Sequence, residues 1–382
     1  MVKRTHWIAV IERAWRRKRV VWLSGVRRIG KTVLCQTLDD IEYFDCELPN
    51  VRRQMQDPEG FLRGLRGKRI VLDEVHRLAN PSELLKIAAD HYPEVKVIAT
   101  GSSTIQASAK FRDALTGRKA DVWLSPMLLS DLEDFGNSDL THRLRRGGLP
   151  PFFLSSQSPG QEFQEWMDSY WARDIQELFR LERRPAFTRL VEMVFLRSGG
   201  IFTASEAARS CGVSHTTVSN YLAVLEATWV AHVIRPYSKR ATVEIVAAPR
   251  VYAFDTGFVC HFRGWEQLRP DDMGILWEHF VLNEIQGRLQ TPAGAMHYWR
   301  DRRGHEVDFV LVRAGRSPMA VECKWSASAF DPANMLAFRR HHPRGRNYVV
   351  APDVSRPFVR RERDIEVEFI GLEPMVAALE AQ

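Results

Sequence analysis

An α/β fold with more than one domain follows from three features of the sequence. A G-x-x-x-x-G-K-T loop lies between an apolar strand and a helical pattern at residues 20–38. Apolar strands and amphipathic helices alternate from there to about residue 129, which implies a parallel sheet covered on both faces. At 382 residues the chain is also too long for one compact core, so two or three domains are expected.

The loop is the strongest of these signals. Val20-Val21-Trp22-Leu23 delivers the backbone into Gly25-Val26-Arg27-Arg28-Ile29-Gly30-Lys31-Thr32, and Val33, Leu34 and Leu38 continue on one helical face. Glycines let such a loop wrap a phosphate with its N–H groups pointing inward, at the positive end of a helix. In this reading Gly25, Arg27, Arg28, Ile29, Gly30, Lys31, Thr32 and Val33 bind a nucleoside triphosphate. Lys31 reaches the β- and γ-phosphates, and Thr32 ligates Mg²⁺.

The partner of that loop belongs on a second buried strand. Ile70-Val71-Leu72 ends in Asp73-Glu74. Asp73 is expected to hold Mg²⁺ through water and Glu74 to polarise the attacking water. A third strand, Val95 to Thr100, ends in Gly101-Ser102-Ser103, which makes Ser102 or Ser103 a candidate γ-phosphate sensor.

The remaining elements follow in chain order. Trp7, Ile8, Ile11, Ala14 and Trp15 recur at helical spacing before the first strand. Tyr43-Phe44-Asp45 reads as a short strand, and Pro81 to Asp90 as an amphipathic helix. Arg118 follows a helix that ends at Gly117 and is a candidate arginine finger acting on a neighbouring subunit, with Arg112 the second choice. Ser130 to roughly Arg184 is helical, broken by Gly-Gly-Leu-Pro-Pro at 147–151, and is read as a lid or connector. Phe202 to Val230 matches a helix-turn-helix, with Gly212 in the turn and Ser214 as N-cap. Its second helix would expose His215, Thr216, Ser219 and Asn220, a set without Arg or Lys that favours non-specific contact or packing over base readout. Val230 to Pro236 and Val243 to Val246 are expected as wing strands.

A second candidate site lies in the last third. A helix over Gly274 to Ile285 carries Glu278, a strand Glu306 to Leu311 carries Asp308, and the returning strand carries Glu322 and Lys324. Residues two apart on a strand face the same side, so Glu322 and Lys324 join Asp308 at one place. Asp308 and Glu322, with Glu278, could hold Mg²⁺ while Lys324 stabilises a pentavalent phosphate, as metal-assisted phosphodiester hydrolysis requires.

Composition sets the setting. Hydrophobic residues are 45% and charged residues 26%, as in soluble globular proteins. No apolar stretch is long enough to span a bilayer, and no apolar core follows the basic N-terminus, so no membrane and a cytoplasmic location are expected. Five scattered cysteines form no C-x-x-C pair, which argues against a disulfide framework or a zinc site. Net charge is +7, but residues 1–28 carry +8 and residues 339–363 carry +6. Two basic poles suit a phosphate backbone, so DNA is the expected partner.

These motifs in this order resemble a bacterial and archaeal AAA+ ATPase family with a C-terminal domain of restriction-endonuclease, PD-(D/E)xK, type. G-V-R-R-I-G-K-T and I-V-L-D-E-V-H resemble its Walker motifs, T-G-S-S its third-strand signature, and L-T-G-R its arginine-bearing segment. Arg250 to Gly257, W-E-H-F-V, E-V-D-F-V-L and V-E-C-K-W resemble its nuclease-like part. The resemblance implies ATP binding, a homo-oligomer in ring form, and action on DNA. The expected layout is an ATPase domain over 1–129, a helical lid over 130–185, a winged helix over 186–246 and a nuclease-like domain over 247–382. The leading function is ATP-driven remodelling of or translocation on DNA. The alternatives are an ATP-gated switch acting on a protein partner, or a Mg²⁺-dependent nuclease licensed by ATP.

Overall fold

The computed structural model describes residues 1–101, 113–155, 160–176, 179, 183–238, 248–290 and 295–380. It divides into two compact units between which the chain passes repeatedly. One comprises Met1–Asp139, Gly148–Arg184 and Ala227–Val230, the other Leu140–Gly147, Pro185–Glu226 and Ala231–Gln382. Four consecutive domains were expected. Within the expected lid segment 130–185, residues 140–147 group with the second unit, where Arg143 is fully buried with its guanidinium on Thr256 Oγ1 at 3.0 Å.

The first unit is built on a parallel sheet of β1 (Val20–Ser24), β2 (Ile41–Asp45), β3 (Arg69–Asp73), β4 (Lys96–Thr100) and β5 (Lys119–Trp123), in the order β2-β3-β4-β1-β5. Its central strands are apolar between their end residues because both faces are covered. Trp22, Ile70, Leu72, Val97 and Ala99 fill the core from the sheet, and Leu84, Leu85 and Ala88 meet them from the helix Pro81–His91. The opening helix, Thr5–Arg17, buries Trp7, Val10, Ile11 and Trp15, and Trp15 Nε1 donates to the Val97 carbonyl at 3.2 Å. Short helices fill the region read as a lid, among them Gly160–Ser169, which continues into a π-helical segment, Tyr170–Gln176.

The second unit holds a mixed sheet of β6 (Ala231–Pro236), β7 (Arg250–Ala253), β8 (Met296–Arg300), β9 (Glu306–Leu311), β10 (Met319–Cys323), β11 (Asn347–Val350), β12 (Phe358–Glu362) and β13 (Ile365–Ile370). The order is β12-β13-β11-β10-β9-β8-β6-β7. The expected wing is therefore corrected: β6 pairs with β7 and β8 and so extends this sheet. The other expected wing strand, 243–246, lies outside the described residues. The helix-turn-helix pattern is present as Ala204–Cys211 and His215–Ala227, with Gly212 at φ 64° and Ser214 Oγ accepting from the Thr217 N–H at 3.1 Å. His215, Thr216, Ser219 and Asn220 are exposed. No helix among the described residues is long and apolar enough to cross a membrane.

The basic segment 339–363 is not uniformly a surface. Arg339 is buried, and its guanidinium donates to the carbonyls of Pro318, His342, Arg344 and Arg346 and to Asn347 Oδ1. It holds a turn together and is removed from the expected phosphate-binding set. Arg340, Arg344, Arg356, Arg360, Arg361 and Arg363 are exposed, as are Arg13, Arg16, Arg17, Lys18 and Arg19 at the N-terminal pole.

Candidate functional site

The C-terminal edge of the parallel sheet carries the nucleotide-type site. β1 runs into Gly25, whose φ of 151° and position leave no room for a side chain, since a Cβ would lie 2.7 Å from the Leu124 carbonyl oxygen. Gly30 has φ 97°, and the helix Lys31–Gln36 starts directly after it. Lys31 Nζ folds back over the loop and donates to the carbonyls of Gly25 at 2.8 Å and Val26 at 3.3 Å. Burial pushes the Lys31 ammonium below its usual range, and the charges of Glu74, Asp174 and Asp73 oppose that shift.

Asp73 closes β3 and collects donors from three neighbouring elements. Thr32 Oγ1 donates to its Oδ2 at 2.8 Å, and the Tyr43 hydroxyl from β2 and the Thr100 hydroxyl from β4 also donate to the carboxylate. Glu74 follows in a left-handed conformation, φ 55°, which turns its side chain out of the strand direction. Its backbone N–H donates to Thr100 Oγ1 at 3.2 Å, and its Oε2 lies 3.0 Å from His76 Nδ1. Burial pushes the Glu74 carboxyl up, but the His76 contact and the Lys31 charge outweigh it, and the carboxyl stays below its usual range. A cavity of about 630 Å³ opens here, lined by the loop from Gly25 to Leu34 together with Glu74, His76, Trp166 and Asp174.

This donor set fits a magnesium nucleotide. Thr32 and Asp73 present hard oxygen ligands to one point, as Mg²⁺ prefers. The glycine-dependent loop and Lys31 supply the phosphate cradle. The sequence reading missed Thr100, Tyr43, His76 and Asp174 here. Thr100 was legible, since the pairing of Leu72 with Ala99 sets the next residues, Asp73 and Thr100, side by side. Asp174 was not: it pairs with Arg27 across 147 residues of sequence, Nε to Oδ2 at 3.0 Å.

The other candidates fall elsewhere. Ser102, Ser103 and Arg112 lie outside the described residues. Arg118 follows Gly117, at φ 74°, and is tied to Asp90 at 2.8 Å. It is not among the residues lining the cavity of its own chain.

In the second unit, the β9–β10 ladder carried one residue past Val321 and Phe309 brings Glu322 level with Asp308. Asp308 Oδ2 accepts from the Cys323 N–H at 2.8 Å, and Lys324 Nζ donates to Glu322 Oε2 at 2.8 Å. The helix Pro270–Leu289 adds Glu278. Arg250, which the sequence reading did not assign to the site, stands among these acids. Its guanidinium reaches Glu278 at 3.0 Å and Asp308 at 3.9 Å and also pairs with Glu306. Burial, reinforced by the charge of Asp308, pushes Glu278 up to about 7 and Glu322 up to about 8, the latter against the pull of Lys324. Glu322 Oε1 is buried without a hydrogen-bond partner. Among the described residues no three His, Cys, Asp or Glu side chains gather as a metal-holding group. The sequence reading placed Glu278, Asp308 and Glu322 in one acidic pocket; Arg250 adds positive charge between Glu278 and Asp308.

Comparison with known proteins bears on both units. Residues 17–133 match a family model described as an AAA domain. Residues 137–269 and 273–364 match two models, each described as a domain of unknown function (DUF8612 and DUF4143). The chain is 29% identical over 338 residues to Uncharacterized protein Rv2008c of Mycobacterium tuberculosis, covering 85% of this chain and 74% of that protein. Among solved structures it is similar to the Walker-type ATPase paby2304 of Pyrococcus abyssi, at 15% identity over 69% of this chain and 96% of that one, with a TM-score of 0.46. It is also similar to the Thermotoga maritima RuvB Holliday junction branch migration motor, at 17% identity over 60% and 89%, with a TM-score of 0.30. The AAA match spans Gly25–Thr32, Asp73 and Glu74 and supports an ATPase in the first unit. The model over 273–364 carries no chemistry in its description.

Proposed function

We propose that this chain is an ATP-hydrolysing AAA+ enzyme that acts on DNA as a homo-oligomer. The observation that carries the ATPase part is the convergence of Thr32, Tyr43 and Thr100 on Asp73, one residue from Glu74, beside a glycine-dependent loop holding Lys31. Lys31 takes the β- and γ-phosphates, exchanging its present carbonyl partners for phosphate oxygens. Thr32 and Asp73 hold Mg²⁺, which when bound neutralises charge on the phosphates. Glu74 stays ionised because His76 and Lys31 favour its charged form, so it can orient and polarise the attacking water. Arg118 completes a neighbour's site in this reading, which is why it stands off its own cavity.

The DNA part rests on charge. Exposed arginines and lysines at residues 13–19 and at Arg340, Arg344, Arg356, Arg360, Arg361 and Arg363 suit backbone phosphates and no particular base. Asp308, Glu322 and Lys324 in the second unit are the candidates for phosphodiester chemistry, with Glu278 beside them. The test is ATP turnover with and without single-stranded, duplex and branched DNA at several salt concentrations. DNA-stimulated turnover that fades as salt rises supports the reading. Turnover indifferent to every DNA would favour the alternative, an ATP-gated switch with a protein partner.

A further inference from the structure

The phosphate loop carries two adjacent arginines, and both face acids of one downstream segment. Arg27 Nε donates to Asp174 Oδ2 at 3.0 Å, with 28% and 14% of the two side chains exposed. Arg28 Nη2 lies 3.9 Å from Glu165 Oε2, a looser and more exposed pair. Trp166 Nε1, from the same segment, donates to the Arg27 backbone carbonyl at 2.9 Å. Residues 160–176 thus grip the loop at a side chain and at its backbone. The gripping carboxylate sits within the π-helical segment Tyr170–Gln176, a local irregularity often found at functional sites. Asp174 also lines the same cavity as Lys31 and Glu74, and its charge acts on Lys31.

A carboxylate facing a polyphosphate cradle is electrostatically misplaced unless it has work there. It repels each phosphate charge brought into a partly desolvated cavity, and the repulsion grows with the length of the phosphate chain. Arg27 then has two competing partners, Asp174 and the nucleotide. We propose that Asp174 is a positioning residue of the phosphate loop. It holds the Arg27 guanidinium at the cavity and yields it to the phosphates of a bound nucleoside triphosphate, so that the grip of residues 160–176 on the loop depends on how many phosphates are bound. This rests on the ATP-binding reading above. It makes the segment a reporter of nucleotide state, in which a triphosphate loosens the Arg27–Asp174 contact more than a diphosphate does.

The test cuts the pair from each end in the full chain. Dissociation constants for ATP and ADP are measured for the wild type, Asp174→Asn and Arg27→Gln, with amide hydrogen exchange of residues 160–176 followed with and without nucleotide. Asp174→Asn should tighten ATP roughly three- to tenfold, the range expected for loss of one half-buried opposing charge, and ADP by less. Arg27→Gln should weaken ATP. Both variants should raise nucleotide-free exchange in 160–176 toward the level that ATP produces in the wild type, and Asp174→Glu should restore wild-type behaviour. A purely structural ion pair would shift affinity in the same direction from both ends, and that result overturns the proposal. So does an Asp174→Asn that changes ATP and ADP affinity by one common factor. A wild-type chain that binds no nucleotide would overturn the ATP-binding reading as well, which separates the two failures.

Discussion

Asp131→Asn is the perturbation whose cost the structure defines best. Asp131 is fully buried and accepts from Arg4 Nε at 2.8 Å, Arg4 Nη2 at 2.6 Å, the Leu128 N–H at 2.8 Å and Trp7 Nε1 at 3.2 Å. Arg4 is 3% exposed and donates in turn to the Ile29 carbonyl at 3.1 Å, inside the phosphate loop. Burial pushes the Asp131 carboxyl up, but the Arg4 charge and these hydrogen bonds outweigh it and hold it below its usual range. A depressed folded-state pKa contributes stability that is complete above the unfolded value and is lost as pH falls through the folded one. At pH 7 the whole contribution is therefore present. Asn keeps the shape but leaves the Arg4 guanidinium buried without its counter-charge, which costs about 3–5 kcal/mol. In a unit of 150–250 residues each kcal/mol moves the transition by roughly 2–4 °C, so the first unit should melt roughly 6–20 °C lower. Calorimetry of the full chain at pH 7 reads this as a shift of one transition with the other unmoved. The double substitution Arg4→Met, Asp131→Leu should recover most of the loss, because apolar side chains of similar size can replace a buried pair. A drop under 2 °C for Asp131→Asn would refute the reasoning.

Three further outcomes follow. Arg118→Ala should lower ATP turnover by roughly 10³ without changing nucleotide affinity, and mixing it with Lys31→Ala subunits should restore part of the rate; unaltered turnover removes Arg118 from the site. Arg339→Ala should unfold the second unit more easily, since the buried His342 carbonyl loses its donor at about 1–3 kcal/mol and the part-buried carbonyls of Pro318, Arg344 and Arg346 lose theirs at less, while Arg340→Ala should change stability by less than about 0.5 kcal/mol; chemical denaturation compares the two. Glu278 and Glu322 have folded-state values raised to about 7 and about 8, so the folded form holds their protons more tightly. Their contribution to stability is present below the unfolded carboxyl range and is lost as pH rises toward 8. In chelator, the second unit should become less stable between about pH 4.5 and pH 8, with a shallower slope in Glu322→Gln.

The parts of this fold written in local pattern were legible, and the parts created by burial were not. The strand–loop–helix at Val20 to Leu38 declares itself because glycine positions and apolar spacing are both local. Asp73 follows from its place at the end of an apolar strand, and His215, Thr216, Ser219 and Asn220 emerge exposed because helical periodicity fixes them. Arg339 misled because charge counted along the chain says nothing about which guanidinium closes a turn. Arg250 and Asp174 escaped for a related reason: each acquires its role from acids brought close by tertiary structure. The Leu140–Gly147 segment joined the second unit through contacts such as Arg143 on Thr256 and Cys260 on the Leu144 carbonyl, which no composition shift announces.

The most direct measurement of the central claim is steady-state ATP hydrolysis, with nucleotide binding measured in parallel, for the wild type, Lys31→Ala and Glu74→Gln in the presence of Mg²⁺. The wild type should bind and hydrolyse ATP, Lys31→Ala should lose binding, and Glu74→Gln should bind ATP yet turn it over slower by a factor of at least about 10². Wild-type turnover that persists unchanged in both variants would contradict the account.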